Sequence, residues 1–123
     1  MVAATPISID LAEAGSAAAL RATVSDVGPI DYLVNNAGFG IVGLRLYEYP
    51  PHELTRMLQL NVLSLAELAD AYAREMVARG SGRILNVSSI SGYTVPHGLE
   101  CGYASSKAFV VSFSECLAQD LKG

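Results

Sequence analysis

Apolar positions along this chain recur at two periods, and the switches between them mark the elements. Ile7-Ser8-Ile9 alternates as a short strand does and ends at Asp10. From Ala12 to Val27 the chain is rich in alanine, with Leu20 and Val24 at helical spacing, and Gly28-Pro29 stops the helix that this predicts. Ile30-Asp31-Tyr32-Leu33-Val34 reads as a second strand. It runs into Asn35-Asn36-Ala37-Gly38 and a loop holding Gly40, Gly43, Pro50 and Pro51. Pro51 opens a long helix reaching Arg79, in which Leu54, Leu58, Leu65, Leu68, Tyr72 and Met76 form one stripe. Asn61 falls on that otherwise apolar stripe. Gly80-Ser81-Gly82 ends the helix, and Ile84-Leu85-Asn86-Val87 is a third strand. Ser88 to Gly102 is a loop bearing serine, glycine and proline, and Tyr103 to Leu121 is the last helix.

The order β-α-β-α-β-α, with helices long enough to serve as crossovers, predicts a parallel α/β layer. In such sheets ligands sit at the carboxyl ends of strands. Asp10, Asn35 to Gly38 and Ser88-Ser89 each follow a strand directly, so three polar clusters converge on one edge.

Composition narrows the classes. Of 123 residues, 51% are hydrophobic and 16% charged, against about a quarter charged in an ordinary soluble domain, which excludes a disordered chain. Eight basic residues against twelve acidic ones give a net charge of -4, so neither a phosphate backbone nor an anionic bilayer finds a basic footprint. The longest uncharged run, Ile84 to Leu99, is broken by polar residues and falls short of the ~20 apolar residues of a spanning helix. Without a basic n-region after Met1, the expected address is the cytoplasm. Cys101 and Cys116 have neither metal-ligand spacing nor a disulfide framework, and both are expected to be small buried hydrophobes.

Several residues carry chemistry. Tyr103 and Lys107 stand at i and i+4 on the last helix, neighbours about 5–6 Å apart at Cβ. A free phenol is a poor proton donor or acceptor at neutral pH, and a nearby cation favours its phenolate, which is the tuning that carbonyl and alcohol chemistry needs. Taken alone the pair is a common surface spacing. Its context is Ser88-Ser89 one loop upstream, otherwise suited to capping or turns, and Asn61, whose buried amide must find partners or cost about 1–3 kcal/mol. Gly38-Phe39-Gly40-Ile41-Val42-Gly43 spells Gly-x-Gly-x-x-Gly after a strand, yet Pro50 and Pro51 postpone the helix that a phosphate cradle needs at its last glycine. The expectation is a loop rimming a pocket.

The ordered set Asn35-Asn36-Ala37-Gly38, Asn61, Asn86-Val87-Ser88-Ser89 and Tyr103-x-x-x-Lys107 resembles the short-chain dehydrogenase/reductase family over almost the entire chain. The resemblance implies that residues 1–123 form a single partial NAD(P)-binding domain. Its fold class would be α/β, a partial Rossmann-like doubly wound parallel sheet. It implies Tyr103 as general acid/base, Lys107 as the group that stabilises its phenolate and holds the nicotinamide ribose, and Ser89 as the group orienting the carbonyl. It gives Asn61 a water linking Lys107 to solvent. Asp10 and Leu11 would be the adenine-contact pair, Asn36, Ala37 and Gly38 would lie against the adenosine half, and Asn35 would brace the sheet. No metal is implied. The cofactor would be NAD or NADP, without preference, and the partner a small carbonyl or alcohol. Members of the family commonly dimerise through the two long helices, so the parent protein would be a homo-oligomer.

The chain also departs from the family. Ser89 and Tyr103 stand fourteen positions apart, one more than the family's usual spacing, so the loop bearing Tyr93, Pro96, His97 and Glu100 is expected to be rearranged and Ser88 is a second contender. The family's opening Thr-Gly-x-x-x-Gly-x-Gly turn is not in the sequence. The chain is thus expected to be the middle of an oxidoreductase. The competing expectations are a non-catalytic fragment associating through Pro51–Arg79 and Tyr103–Leu121, and a nucleotide-binding regulator built on the Gly38–Gly43 loop. Phe39, Leu44, Tyr47, Tyr93, Val95 and His97 suggest an apolar substrate.

Overall fold

A computed structural model describes residues 2–94 and 98–122, so Val95, Pro96 and His97 of the expected pocket loop lie outside the described residues. Helix α1 is Ser16–Val24, strand β1 Tyr32–Asn35, and helices α2 and α3 are Glu53–Leu58 and Leu65–Arg79. Strand β2 is Arg83–Asn86 and helix α4 is Cys101–Asp120. The two strands pair in parallel, Leu33 opposite Ile84 and Asn35 opposite Asn86.

β1 is held at both ends. Arg79, at the last turn of α3, donates to the Ile30 carbonyl just before the strand and pairs with Asp31 at 3.5 Å. Gly80, in the left-handed region at φ 74°, ends α3 and returns its N–H to Met76 and Val77. The core lies between α1, α3 and one face of the sheet. Ala17, Leu68, Tyr72 and Met76 form its centre, with Leu20, Ile30, Leu33 and Ile84 packed around them. The pleat turns Tyr32, Val34 and Leu85 to the other face, where they are exposed. No helix among the described residues is long and apolar enough to cross a membrane.

The expected elements meet the structure with four corrections. Ile7–Ile9 is not a strand, and Ile7 is 37% exposed; it lies outside the two-stranded ladder, and without ladder hydrogen bonds a two-residue alternation does not fix strand geometry. The long helix does not run straight from Pro51. A π-helical turn, Gln59–Ser64, separates α2 from α3 and turns both Asn61 and Ser64 inward. The last helix opens at Cys101, two residues before Tyr103. Finally, Cys101 and Cys116 are exposed, because the buried positions of α4, among them Gly102, Ser106 and Val110, follow a stripe that both cysteines miss.

Candidate active site

Both strands end in asparagine at one level. Asn35 Nδ2 donates to Asn86 Oδ1 at 2.9 Å and to the Leu65 carbonyl at 3.4 Å, while Asn86 Nδ2 donates to Ser114 Oγ at 3.0 Å. This relay ties β1, α3, β2 and α4 at the carboxyl edge of the sheet, and Asn35 is the brace it was expected to be. Beyond it the chain parts into two loops, Asn36–Gly43 after β1 and Val87 onward after β2.

Between these loops and α4 lies an open cavity of about 460 Å³, walled by Asn36, Gly38, Phe39, Val87, Tyr103 and Lys107. Lys107 is 6% exposed, its Nζ donating to the Val87 carbonyl at 3.1 Å and standing 5.9 Å from the centre of the Tyr103 ring. An ammonium carries three donors, so two remain for an oxygen-rich ligand. The Tyr103 hydroxyl makes no hydrogen bond among the described residues.

Two glycines of the first loop are needed for close approach. A Cβ on Gly40 would lie 2.6 Å from Tyr103 Cδ2, and one on Gly38 would lie 3.0 Å from Asn61 Oδ1 and 3.4 Å from Lys107 Nζ. The Gly38–Gly43 segment opens no helix; the next α-helix begins at Glu53. It is a cavity wall, as the two prolines led us to expect.

The π-helical turn delivers Asn61 to this wall. Its Oδ1 accepts from the Phe39 N–H at 3.1 Å, and its Nδ2 donates to the Phe39 carbonyl at 2.8 Å and to Ser106 Oγ at 3.0 Å. Both amide protons are therefore engaged, so the side chain can meet a water only through its oxygen.

The two serines divide in role. Ser88 lines the cavity but donates its proton to the Lys107 carbonyl at 2.8 Å. Ser89 accepts from the Ser91 N–H at 3.2 Å, capping a 3-10 turn over Ile90–Gly92, and its own proton goes to no group among the described residues.

Ala37 and Leu11 meet in a neighbouring cleft of about 120 Å³, and Asn36 lines both this cleft and the larger cavity. Leu11 is anchored by Ser64 Oγ, which donates to its carbonyl at 2.7 Å. Asp10 borders neither space. Its Oδ1 accepts from the Ala12 N–H at 2.9 Å and its Oδ2 from Arg56 Nη2 at 3.1 Å. The Ala12 amide, with Arg56 beside it, holds this carboxyl below its ordinary value against a smaller opposing cost of desolvation.

Among the described residues the edge thus carries a phenol without a partner, a buried ammonium, a serine whose proton meets no acceptor and a glycine-walled strip at the ends of parallel strands. Residues 2–123 match the family model of the short chain dehydrogenases. The chain belongs to that family. A short chain dehydrogenase of Pseudocercospora fijiensis is 36% identical over 124 residues, spanning 98% of this chain and 39% of that protein. The 3alpha-hydroxysteroid dehydrogenase of Mediterraneibacter gnavus is 39% identical over 97 residues, or 78% of this chain and 38% of that one. Among solved structures, a metagenomic short-chain oxidoreductase in complex with NADP superposes with a TM-score of 0.84 at 30% identity, covering 94% of this chain and 52% of the other. The short-chain dehydrogenase chain described here therefore spans about two fifths of the first two proteins' length and about half of the third's, and its fold is a partial Rossmann-like α/β layer.

Sequence reasoning passed over three residues of this region. Tyr49 Oη donates to the Ile41 carbonyl at 3.3 Å and accepts from the Gly102 N–H at 3.4 Å, clasping the first loop to the start of α4. Gly92 lets the second loop touch α4, since a Cβ there would lie 2.7 Å from the Lys107 carbonyl oxygen. Ser106 is 1% exposed; its position on the stripe of Gly102 and Val110, four residues to either side, was the signal available.

Proposed function

We propose that the protein carrying this chain is an NAD(P)-dependent oxidoreductase that interconverts a carbonyl and an alcohol. The observation that carries the reading is the phenol of Tyr103, unpaired among the described residues, beside the buried Lys107 ammonium at the carboxyl edge of the sheet. The cleft at Leu11 and Ala37 and the cavity at Lys107 share Asn36 in their walls, which suits a ligand with two halves, and side chains at Gly38 or Gly40 would crowd Asn61, Lys107 and the Tyr103 ring. Leu11, Asn36, Ala37 and Gly38 would hold the adenosine half and Tyr103 and Lys107 the nicotinamide ribose, while Asp10, which borders neither space, would reach the adenosine only from outside them. The neighbour bound to NADP supports this use. When bound, the nicotinamide exchanges hydride with the substrate carbon.

The protein's residues manage the oxygen. In reduction Tyr103 gives its hydroxyl proton to the developing alkoxide, and in oxidation its phenolate takes that proton from the alcohol. Lys107 stabilises the phenolate, and Ser89 Oγ, whose proton is available, donates to the same substrate oxygen. Asn61 holds the loop wall. Phe39 and Val42 in the cavity wall favour an apolar substrate, as does the hydroxysteroid chemistry in a relative's name. The proposal extends to a homo-oligomer through α2–α3 and α4, whose Phe109 and Phe113 rings stack at 5.4 Å, Phe109 exposed.

The test is Tyr103→Phe. Loss of a positioned acid/base lowers turnover by about 10²–10⁴-fold, with the circular dichroism spectrum unchanged. Turnover within a few fold of the unmodified protein would remove Tyr103 from the reaction.

A further inference from the structure

We infer that Ser106 is a positioning residue for Tyr103, fastening the phenol-bearing turn of α4 to the glycine loop on the facing wall of the cavity. Only the kinetic consequence rests on the oxidoreductase reading above; the bonds stand apart from it. Ser106 is three residues after Tyr103 and one before Lys107, on the inner side of α4. Its hydroxyl donates to the Tyr103 carbonyl at 2.7 Å and accepts from Asn61 Nδ2 at 3.0 Å. Asn61 in turn grips the Phe39 backbone by both its N–H and its carbonyl. One unbroken line of hydrogen bonds thus runs from the Phe39 backbone through the Asn61 amide and the Ser106 hydroxyl to the backbone of Tyr103.

The two glycines flanking Phe39 make this line matter. Gly40 lies flat against the Tyr103 ring, and Gly38 lies against Asn61 Oδ1 and near Lys107 Nζ. The space between the loop and the Tyr103 ring does not admit even a methyl group at Gly40, so a loop set free on one side displaces the ring from its place beside Lys107. Reacting geometry is sensitive on that scale, a shift of about 1 Å costing on the order of 10²-fold in rate. Alanine at 106 preserves the helix and nearly the volume. It leaves one Asn61 N–H buried without an acceptor, and the amide must turn away from Phe39 to find another.

The experiment compares the unmodified protein with Ser106→Ala by steady-state kinetics, cofactor binding, and amide hydrogen exchange followed by NMR. The expected result is a fall of about tenfold in kcat. Cofactor Kd stays within about twofold, and the kinetic isotope effect with cofactor deuterated at the transferred position rises as hydride transfer becomes slower. Exchange at the Phe39 amide quickens about tenfold, while that at Val110, deep in α4, is unchanged. A purely structural serine would lower kcat only in step with the folded fraction, with the isotope effect and the Phe39 exchange unmoved, and that result overturns the inference. Should the alanine variant fail to fold, the unmodified protein decides: the Asn61 side-chain amide protons are expected to exchange no faster than the Phe39 amide, and free exchange of those protons overturns the link. Absence of hydride transfer to any carbonyl in the unmodified protein would defeat the oxidoreductase reading alone, because the exchange measurements still decide this one.

Discussion

Two polar clusters sit at the carboxyl edge of the sheet, and they are built in opposite ways. Around Asn61, buried groups share short hydrogen bonds, and Asn61 and Ser106 are each 1% exposed. Around Arg56, the partners are charged and open to solvent: Asp10, Glu13 and Glu53 at 3.1, 3.0 and 4.0 Å, with the arginine side chain 41% exposed. The count of contacts is similar, yet the consequences of breaking them differ. A buried donor left alone meets the full cost of desolvation, whereas a surface ion pair exchanges one set of water-screened contacts for another. The nicotinamide end of the proposed site is thereby fixed in place, while the segment that leads into Leu11 is held by contacts that salt and acid can loosen.

Asn61→Ala should break the comparison most sharply. It removes three hydrogen bonds at once from a buried network, with an expected loss of about 3–5 kcal/mol in stability, measured by urea unfolding. A loss under about 1 kcal/mol would place Asn61 in the same class as Arg56. Gly40→Ala comes next. Its Cβ has no room beside the Tyr103 ring, so turnover should fall by about 10²-fold while thermal stability changes little; full activity would show that the loop moves freely. Arg56→Ala should lower the thermal midpoint slightly in low salt and not at all in about 1 M salt, where the Debye length is near 3 Å. A salt-independent loss would mean that the arginine packs rather than pairs.

Acid gives the smallest effect. The Asp10 carboxyl is held below its ordinary value in the folded chain, so its contribution is present at neutral pH and is lost as pH falls through that lowered value. Asp10→Asn should flatten this part of an acid titration of stability and leave the neutral end alone. An unchanged acid limb would show that the Ala12 and Arg56 contacts contribute nothing.

How much of this was legible beforehand follows from what periodicity can register. Leu65, Leu68, Tyr72 and Met76 lie at helical spacing and are buried as that spacing predicts. Asn61, one polar residue on an apolar stripe, announced a buried amide in need of partners, and the partners are there. Ile7–Ile9 failed because alternation describes a strand's faces and not its hydrogen bonds. The cysteines failed because residue type was weighed above helical phase. Ser106 and Tyr49 were hidden for another reason: their roles consist of contacts across 45 and 53 positions of chain, to Asn61 and Gly102, and local pattern carries no trace of such pairing. The family itself was legible through the order in which the motif residues occur.

The wide turn at Gln59–Ser64 has a meaning for length change. Each residue of an α-helix advances its direction by about 100°, so the turn sets the phase between the Met57 end of the rod, which meets α4, and the Leu68–Met76 end, which meets the sheet. Deleting one residue within Gln59–Ser64 would let the rod close into a continuous helix with its two ends still nearly in phase, because a π-turn holds about one residue more than an α-turn. Closing it without a deletion would instead swing one end about a quarter-turn against the other, and Asn61 and the core stripe could then no longer both face inward. Substitutions in this segment change one contact; a change of winding there changes the clock by which all the others are kept.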